Sequence, residues 1–211
     1  MGWALLISLL TFYAARTVSR NRDWRDDVTF YARLVADNPR SARARLGLGY
    51  VYDRSGLPRI AITHYLAGIR LDSTDPRLHT NLGAAYQKLG MLAEAEQAYK
   101  TSLQLRPRDS VTLNNLGFLH IEKGEFDKAR SFLEQAEKLS HGGDAAVYAN
   151  FGLLHEVQGH LSQAVAAYQK ALALEPRNSV YAQKIEALEK QLAQQAQAAT
   201  EAGQSQEPAS P

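Results

Sequence analysis

The sequence predicts an all-α protein of stacked helical hairpins, and three observations carry that prediction. The pairs Leu48-Gly49, Leu82-Gly83 and Leu116-Gly117 stand 34 residues apart, and Phe151-Gly152 follows after 35. A second glycine lies seven residues after each first one, at Gly56, Gly90, Gly124 and Gly159. In the same step come an alanine (Ala61, Ala95, Ala129, Ala164) and, four residues later, a large apolar residue (Tyr65, Tyr99, Leu133, Tyr168). Several positions moving together at one period of this length mark a repeat array.

Each repeat reads as two helices of about 12–15 residues with apolar side chains at i, i+3, i+4 and i+7. The second repeat shows the pattern: Leu82, Ala85, Tyr86 and Leu89 in its first helix, then Leu92, Ala95, Tyr99, Leu103 and Leu105 in its second. The first glycine of each repeat is expected where two helices approach closely. The second is placed to end the first helix in the left-handed conformation, where a Cβ would be penalised. Pro107 and Pro176 punctuate the ends of repeats two and four. A lone hairpin cannot bury its apolar face, whereas stacked neighbours share one core.

These residues resemble the tetratricopeptide-repeat (TPR) pattern from about residue 42 to 176, and the stretch NNLGFLHIEKGEFDKARSFLEQAEKL at 114–139 fits closely. The resemblance implies a right-handed α-solenoid with repeats at about 42–75, 76–109, 110–144 and 145–178. Departures are His120 and His155 at the aromatic position of the first helix, and Ser73 and His141 in place of the closing proline. A helix over 177–194, with Tyr181, Ile185, Leu188 and Leu192 on one face, resembles the solvating cap of such arrays. Residues 195–211 are rich in Gln, Ala, Ser and Pro without an aromatic residue, and are expected to be a disordered tail.

Residues 1–15 carry no charge. As a helix they would span ~22 Å, short of the ~30 Å hydrocarbon core of a bilayer. A signal peptide, an apolar helix packed on the first repeat and the end of a membrane-spanning helix all compete here. The third is preferred over residues 1–19, because Trp3, Tyr13 and the arginines from Arg16 suit an interface. Residues 20–41 read as a half repeat and linker. The run Arg16-Thr17, Arg20-Asn21 and Trp24, then an apolar helix to Val35 and Pro39, resembles the junction before the repeats of transmembrane-and-TPR O-mannosyltransferases and their bacterial relatives. That resemblance implies repeats on the extracytoplasmic side of a membrane, although arginines beside a membrane helix favour the cytoplasm. Sugar transfer in that family belongs to the membrane portion, so no catalytic residue carries over.

Chemistry within the chain is sparse. There is no cysteine, which excludes disulfides, thiolate zinc sites and cysteine nucleophiles. His155-Glu156 with His160 mimics a zinc-protease helix, but the second histidine stands at i+5 and Gly159 occupies i+4. No catalytic residue, metal ligand or cofactor is expected, and the chain by itself does not read as an enzyme. The formal charge is +2, and the early arginines interleave with Asp23, Asp26, Asp27 and Asp37, the pattern of a solvated face rather than a nucleic-acid surface.

Asn81, Asn115 and Asn150 each precede the glycine of their repeat by two residues, with Gly47 breaking the series. In the family this position lines the concave groove. Stacked amides there can donate to and accept from the backbone of an extended peptide. Tyr50, Phe118 and Leu153, three residues further on, would add apolar pockets, while Ala84 leaves a gap. The competing reading is that these asparagines tie neighbouring helices together. Basic residues of the kind that clamp chaperone C-termini are absent from Leu46, Gly47, Val111, Asn114 and Asn115. The leading expectation is a membrane-linked scaffold for a polypeptide ligand, the C-terminal module of a multi-span glycosyltransferase. A stand-alone anchored assembly factor of a pilus or secretion complex is the alternative.

Overall fold

The computed structural model describes residues 27–204, with side chains to Ala198. Among the described residues ten helices follow one another: α1 (Asp27–Asp37), α2 (Ala42–Arg54), α3 (Pro58–Leu71), α4 (Pro76–Lys88), α5 (Leu92–Leu105), α6 (Ser110–Glu122), α7 (Phe126–Leu139), α8 (Ala145–Val157), α9 (Leu161–Leu174) and α10 (Ser179–Gln204). The expected membrane helix at 1–19, the start of the half repeat with Trp24, and the tail from 205 lie outside the described residues. The chain divides into two compact units, Met1–Arg106 and Pro107–Pro211.

The hairpin turns form as the glycine spacing requires. Gly56, Gly90, Gly124 and Gly159 all have φ between 71° and 76°. At Gly90, the Met91 amide donates to the Tyr86 carbonyl at 3.0 Å and the Gly90 amide to Gln87 at 2.9 Å. This is the paired hydrogen bonding of a Schellman cap, and it satisfies carbonyls that the helix end leaves open. First helices begin with side-chain caps from Ser41, Asp75, Asp109 and Asp144.

The first glycine of each repeat, expected where two helices approach closely, makes room for a large apolar side chain of the partner helix. A Cβ on Gly49, Gly83 or Gly152 would lie 2.5, 2.6 or 2.8 Å from the ring of Tyr65, Tyr99 or Tyr168, and one on Gly117 would lie 2.5 Å from Leu133. The glycine and the large apolar residue found in register along the sequence are therefore the two halves of one contact. In the first unit, Gly68 similarly admits Leu78 between α3 and α4. Gly47 admits Tyr31 of α1, so the half repeat docks on α2 through that ring.

In the second unit, Leu188, Tyr181, Ile185 and Leu192 of α10 cover the apolar side of α9. Lys184 of α10 reaches Glu156 of α8 at 2.9 Å. The helix runs on to Gln204, so the tail expected to begin at 195 starts helical instead. Alanine and glutamine, which recur there, are good helix formers, and a helix already nucleated by the packed cap extends through them at little cost. The extra residue of the third repeat falls in the turn after α7, where His141 (φ 53°) and Gly142 (φ 70°) are both left-handed.

Candidate first-helix binding faces

Position along the helix decides which way each candidate residue faces. A step of two residues rotates ~200° about a helix axis. Asn81, Asn115 and Asn150 therefore point away from the glycine seam that joins the two helices of their own hairpins.

In the first unit, the exposed face of α4 carries Asn81, Ala84 and Lys88, and that of α2 carries Arg43, Tyr50 and Arg54. The Asn81 amide forms no hydrogen bond among the described residues and is half-buried. Tyr50 is 48% exposed, with the Arg54 guanidinium 6.0 Å from its ring centre. Lys88 binds Asp53 across the two repeats at 2.7 Å. The Arg43 and Arg54 side chains were passed over in the sequence because early aspartates interleave with arginine. The spacing that could have found them is Arg43-Tyr50-Arg54, steps of seven and four that share one helix face.

In the second unit, Asn115, Phe118 and Leu153 are half-buried, and Val111 and Val157 on the same helices are exposed. Asn150 donates through Nδ2 to Oδ1 of buried Asn114 at 2.9 Å, linking α8 to α6. The competing helix-tying role thus applies to part of the Asn150 amide, with Asn114 as its partner. One N–H and the carbonyl of Asn150 keep their capacity for a ligand. Asn115, like Asn81, makes no side-chain hydrogen bond among the described residues.

His64, His120 and His155 are built into the packing. His120 is 2% exposed, bonds Glu125 through Nδ1 at 2.9 Å and stacks on Phe132. Tyr52 stacked on His64 occupies the same places in the first repeat, with the two ring types exchanged. Burial, with Arg45 beside it, lowers the His64 pKa. Burial, then Arg130 and His160, lowers that of His155, whose buried Nδ1 has no partner. His155 borders a cavity of about 260 Å³ with Glu137, Tyr148, Phe151 and Lys170. His160 lies at the N-terminus of α9, off the helix of His155. No cluster of metal-ligating side chains occurs among the described residues.

Glycines that admit a large apolar side chain, left-handed turn glycines and half-buried first-helix amides recur at the repeat period. The tetratricopeptide-repeat signature matches residues 75–140 and 109–175, and a second signature of that family matches 14–76. This chain belongs to the tetratricopeptide-repeat family. The second match begins within the segment expected to touch a membrane. Among curated proteins, protein O-mannosyl-transferase Tmtc3 of Drosophila melanogaster is 33% identical over 105 residues, 50% of this chain and 11% of its own length. The Mus musculus protein O-mannosyl-transferase TMTC3 is 22% identical over 194 residues, 85% of this chain and 21% of its own. The chain thus spans between about a tenth and a fifth of these relatives. A thermophilic TPR protein of Thermus thermophilus matches the fold with a TM-score of 0.71 at 23% identity, covering 76% of this chain and 88% of that one.

Proposed function

We propose that this TPR chain is a scaffold that holds extended polypeptide on the exposed first-helix faces of each of its units. The observation that carries the reading is Asn81 in one unit and Asn115 in the other, whose side-chain amides make no hydrogen bond among the described residues that a ligand would have to break. An amide can both donate to and accept from a peptide backbone, so it adds affinity without demanding a sequence. Phe118, Leu153 and Tyr50 stand beside these positions to receive side chains. Two amides with two hydrogen bonds each, at about 0.5–1.5 kcal/mol apiece, are worth tenfold or more in affinity. Fluorescence anisotropy with a labelled random-sequence peptide pool tests this. The Asn81→Ala, Asn115→Ala double variant should bind about tenfold more weakly, with its melting temperature within a few degrees of the parent. Undiminished binding together with a large loss of stability would show that the two amides hold helices, not ligand.

The finer reading is that the scaffold is linked to a membrane through residues 1–19, with its repeats outside the cytoplasm, and presents acceptor polypeptides to a glycosyltransferase. It is supported by the uncharged first fifteen residues and by the similarity to the two O-mannosyl-transferases. Among the described residues no helix is long and apolar enough to cross a membrane. Liposome flotation separates the cases. The full chain should float and residues 20–211 should not; equal behaviour removes the membrane link.

A further inference from the structure

We propose that the exposed face of α2 is a subsite for an acidic stretch of the bound polypeptide, read by Arg43 and Arg54 with Tyr50 between them. This rests on the peptide-scaffold reading and names the class of ligand that one part of it takes.

Between residues 38 and 71 the chain carries six arginines (Arg40, Arg43, Arg45, Arg54, Arg59, Arg70), no lysine, and a single acid, Asp53. That acid is already committed to Lys88 at 2.7 Å. Of the neighbouring acids, Asp75 holds Arg77 at 2.7 Å, Asp37 holds Arg33 at 3.4 Å, and Asp72 accepts from the Thr74 hydroxyl at 2.8 Å. Arg43 and Arg54 are both exposed and have no carboxylate partner among the described residues. Among the described residues the interleaving of arginine with aspartate along the early sequence therefore does not extend to this surface.

Arg43, Tyr50 and Arg54 fall within ~40° of one another around the helix, because steps of seven and eleven residues nearly complete whole turns. The two arginines are ~16 Å apart along the axis. In an extended peptide, side chains on one face recur every ~6.6 Å, so acids four residues apart span ~13 Å, a gap that two long, flexible guanidinium side chains close. The residue between the two acids meets Tyr50, ~10 Å from Arg43 and ~6 Å from Arg54 along the axis. The Tyr50 ring is 48% exposed, the Tyr31 ring seated on Gly47 adds a second apolar surface between it and Arg43, and the Tyr50 ring already lies under the Arg54 guanidinium, which favours a planar cation presented to a carboxylate. The occupant is thus an acid–x–apolar–x–acid segment. A nucleic-acid backbone fits less well, since the cations of α4, Arg77 and Lys88, are neutralised by Asp75 and Asp53 and leave no continuous basic track.

The test uses the full chain and two short, labelled, amidated peptides, one centred on Glu-Ser-Phe-Ser-Glu and the other with glutamine in place of both glutamates. The acidic peptide should bind about tenfold more tightly at about 0.05 M salt, with most of the difference gone at about 0.3 M. Arg43→Gln with Arg54→Gln should abolish the preference, and Arg43→Lys with Arg54→Lys should keep most of it. The proposal is overturned if the two peptides bind alike, if the glutamine variant keeps the preference, or if a single-stranded RNA oligonucleotide displaces the acidic peptide at lower concentration than the peptide itself does. Should it fail while the random pool is still captured in a manner sensitive to Asn81 and Asn115, the scaffold reading stands. Should neither the acidic peptide nor the pool bind, both fall.

Discussion

Gly83→Ala is the sharpest probe of the contact that repeats through this fold. The new Cβ would lie 2.6 Å from Cε1, 2.7 Å from Cδ1 and 3.0 Å from Cζ of Tyr99. Carbon atoms in contact prefer about 3.5–4.0 Å, so the ring must retreat by nearly 1 Å. It has little room to do so, being 1% exposed and anchored by a 2.9 Å hydrogen bond from its hydroxyl to Gln87. Overpacking costs about 1–3 kcal/mol, and loosening the hydroxyl about 1 kcal/mol more. Replacing a mid-helix glycine returns about 1 kcal/mol. The net loss of about 1–3 kcal/mol lowers the melting temperature by roughly 2–4 °C per kcal/mol in a chain of this size. A double-mutant cycle isolates the cause: in a Tyr99→Ala background the obstacle is gone, and Gly83→Ala should become stabilising by about 1 kcal/mol. Urea midpoints for the four proteins measure it. The same sign and size of effect in both backgrounds would refute the idea that glycine is there to admit the ring.

Two further outcomes follow from the same seams. Tyr99→Phe should cost about 1 kcal/mol by removing a satisfied hydroxyl, whereas Tyr65→Phe should be neutral or stabilising, because the Tyr65 hydroxyl is buried with no partner; urea denaturation giving equal losses would contradict this. Acidification should destabilise the chain in two windows: burial first, then nearby cations, depresses the pKa of His64 and His155 below the ordinary 6.5, so the unfolded chain takes up protons that the folded chain resists, and stability is lost as pH falls through 6.5. Hydrogen bonds from Lys128, then Lys123, hold Glu125 at about 2, so its contribution is present above 4.5 and lost as pH falls from there. Melting curves from pH 7.5 to 5.5 should show the first window, and His155→Tyr, which restores the ring type of Tyr52 and Tyr86, should flatten the slope; a flat parent profile would contradict the assignment.

The helices and their turns were legible because each is decided locally. A glycine seven residues after another ends a helix whatever surrounds it, and Gly56, Gly90, Gly124 and Gly159 do so. The facing of Asn81 and Asn115 follows from helical rotation alone. The Asn150–Asn114 bond did not, because it joins side chains 36 residues apart whose meeting depends on how α6 and α8 pack. Arg43 and Arg54, which have no carboxylate partner among the described residues, were hidden by adjacency: Asp37 and Asp53, near them in sequence, pair with Arg33 and Lys88. The length of α10 was misjudged because composition was read without the packed cap that nucleates it.

By itself the sequence determined the repeat, the all-helical hairpins and the family, since a periodic pattern of glycine and large apolar residues has one economical way to bury itself. Only the tertiary structure decided what the first glycine of each repeat is for, which carboxylates are spent on internal ion pairs, and which amides and guanidinium groups are left without an internal bond among the described residues. Those are questions of distance between residues far apart along the chain, and local propensity does not encode distance.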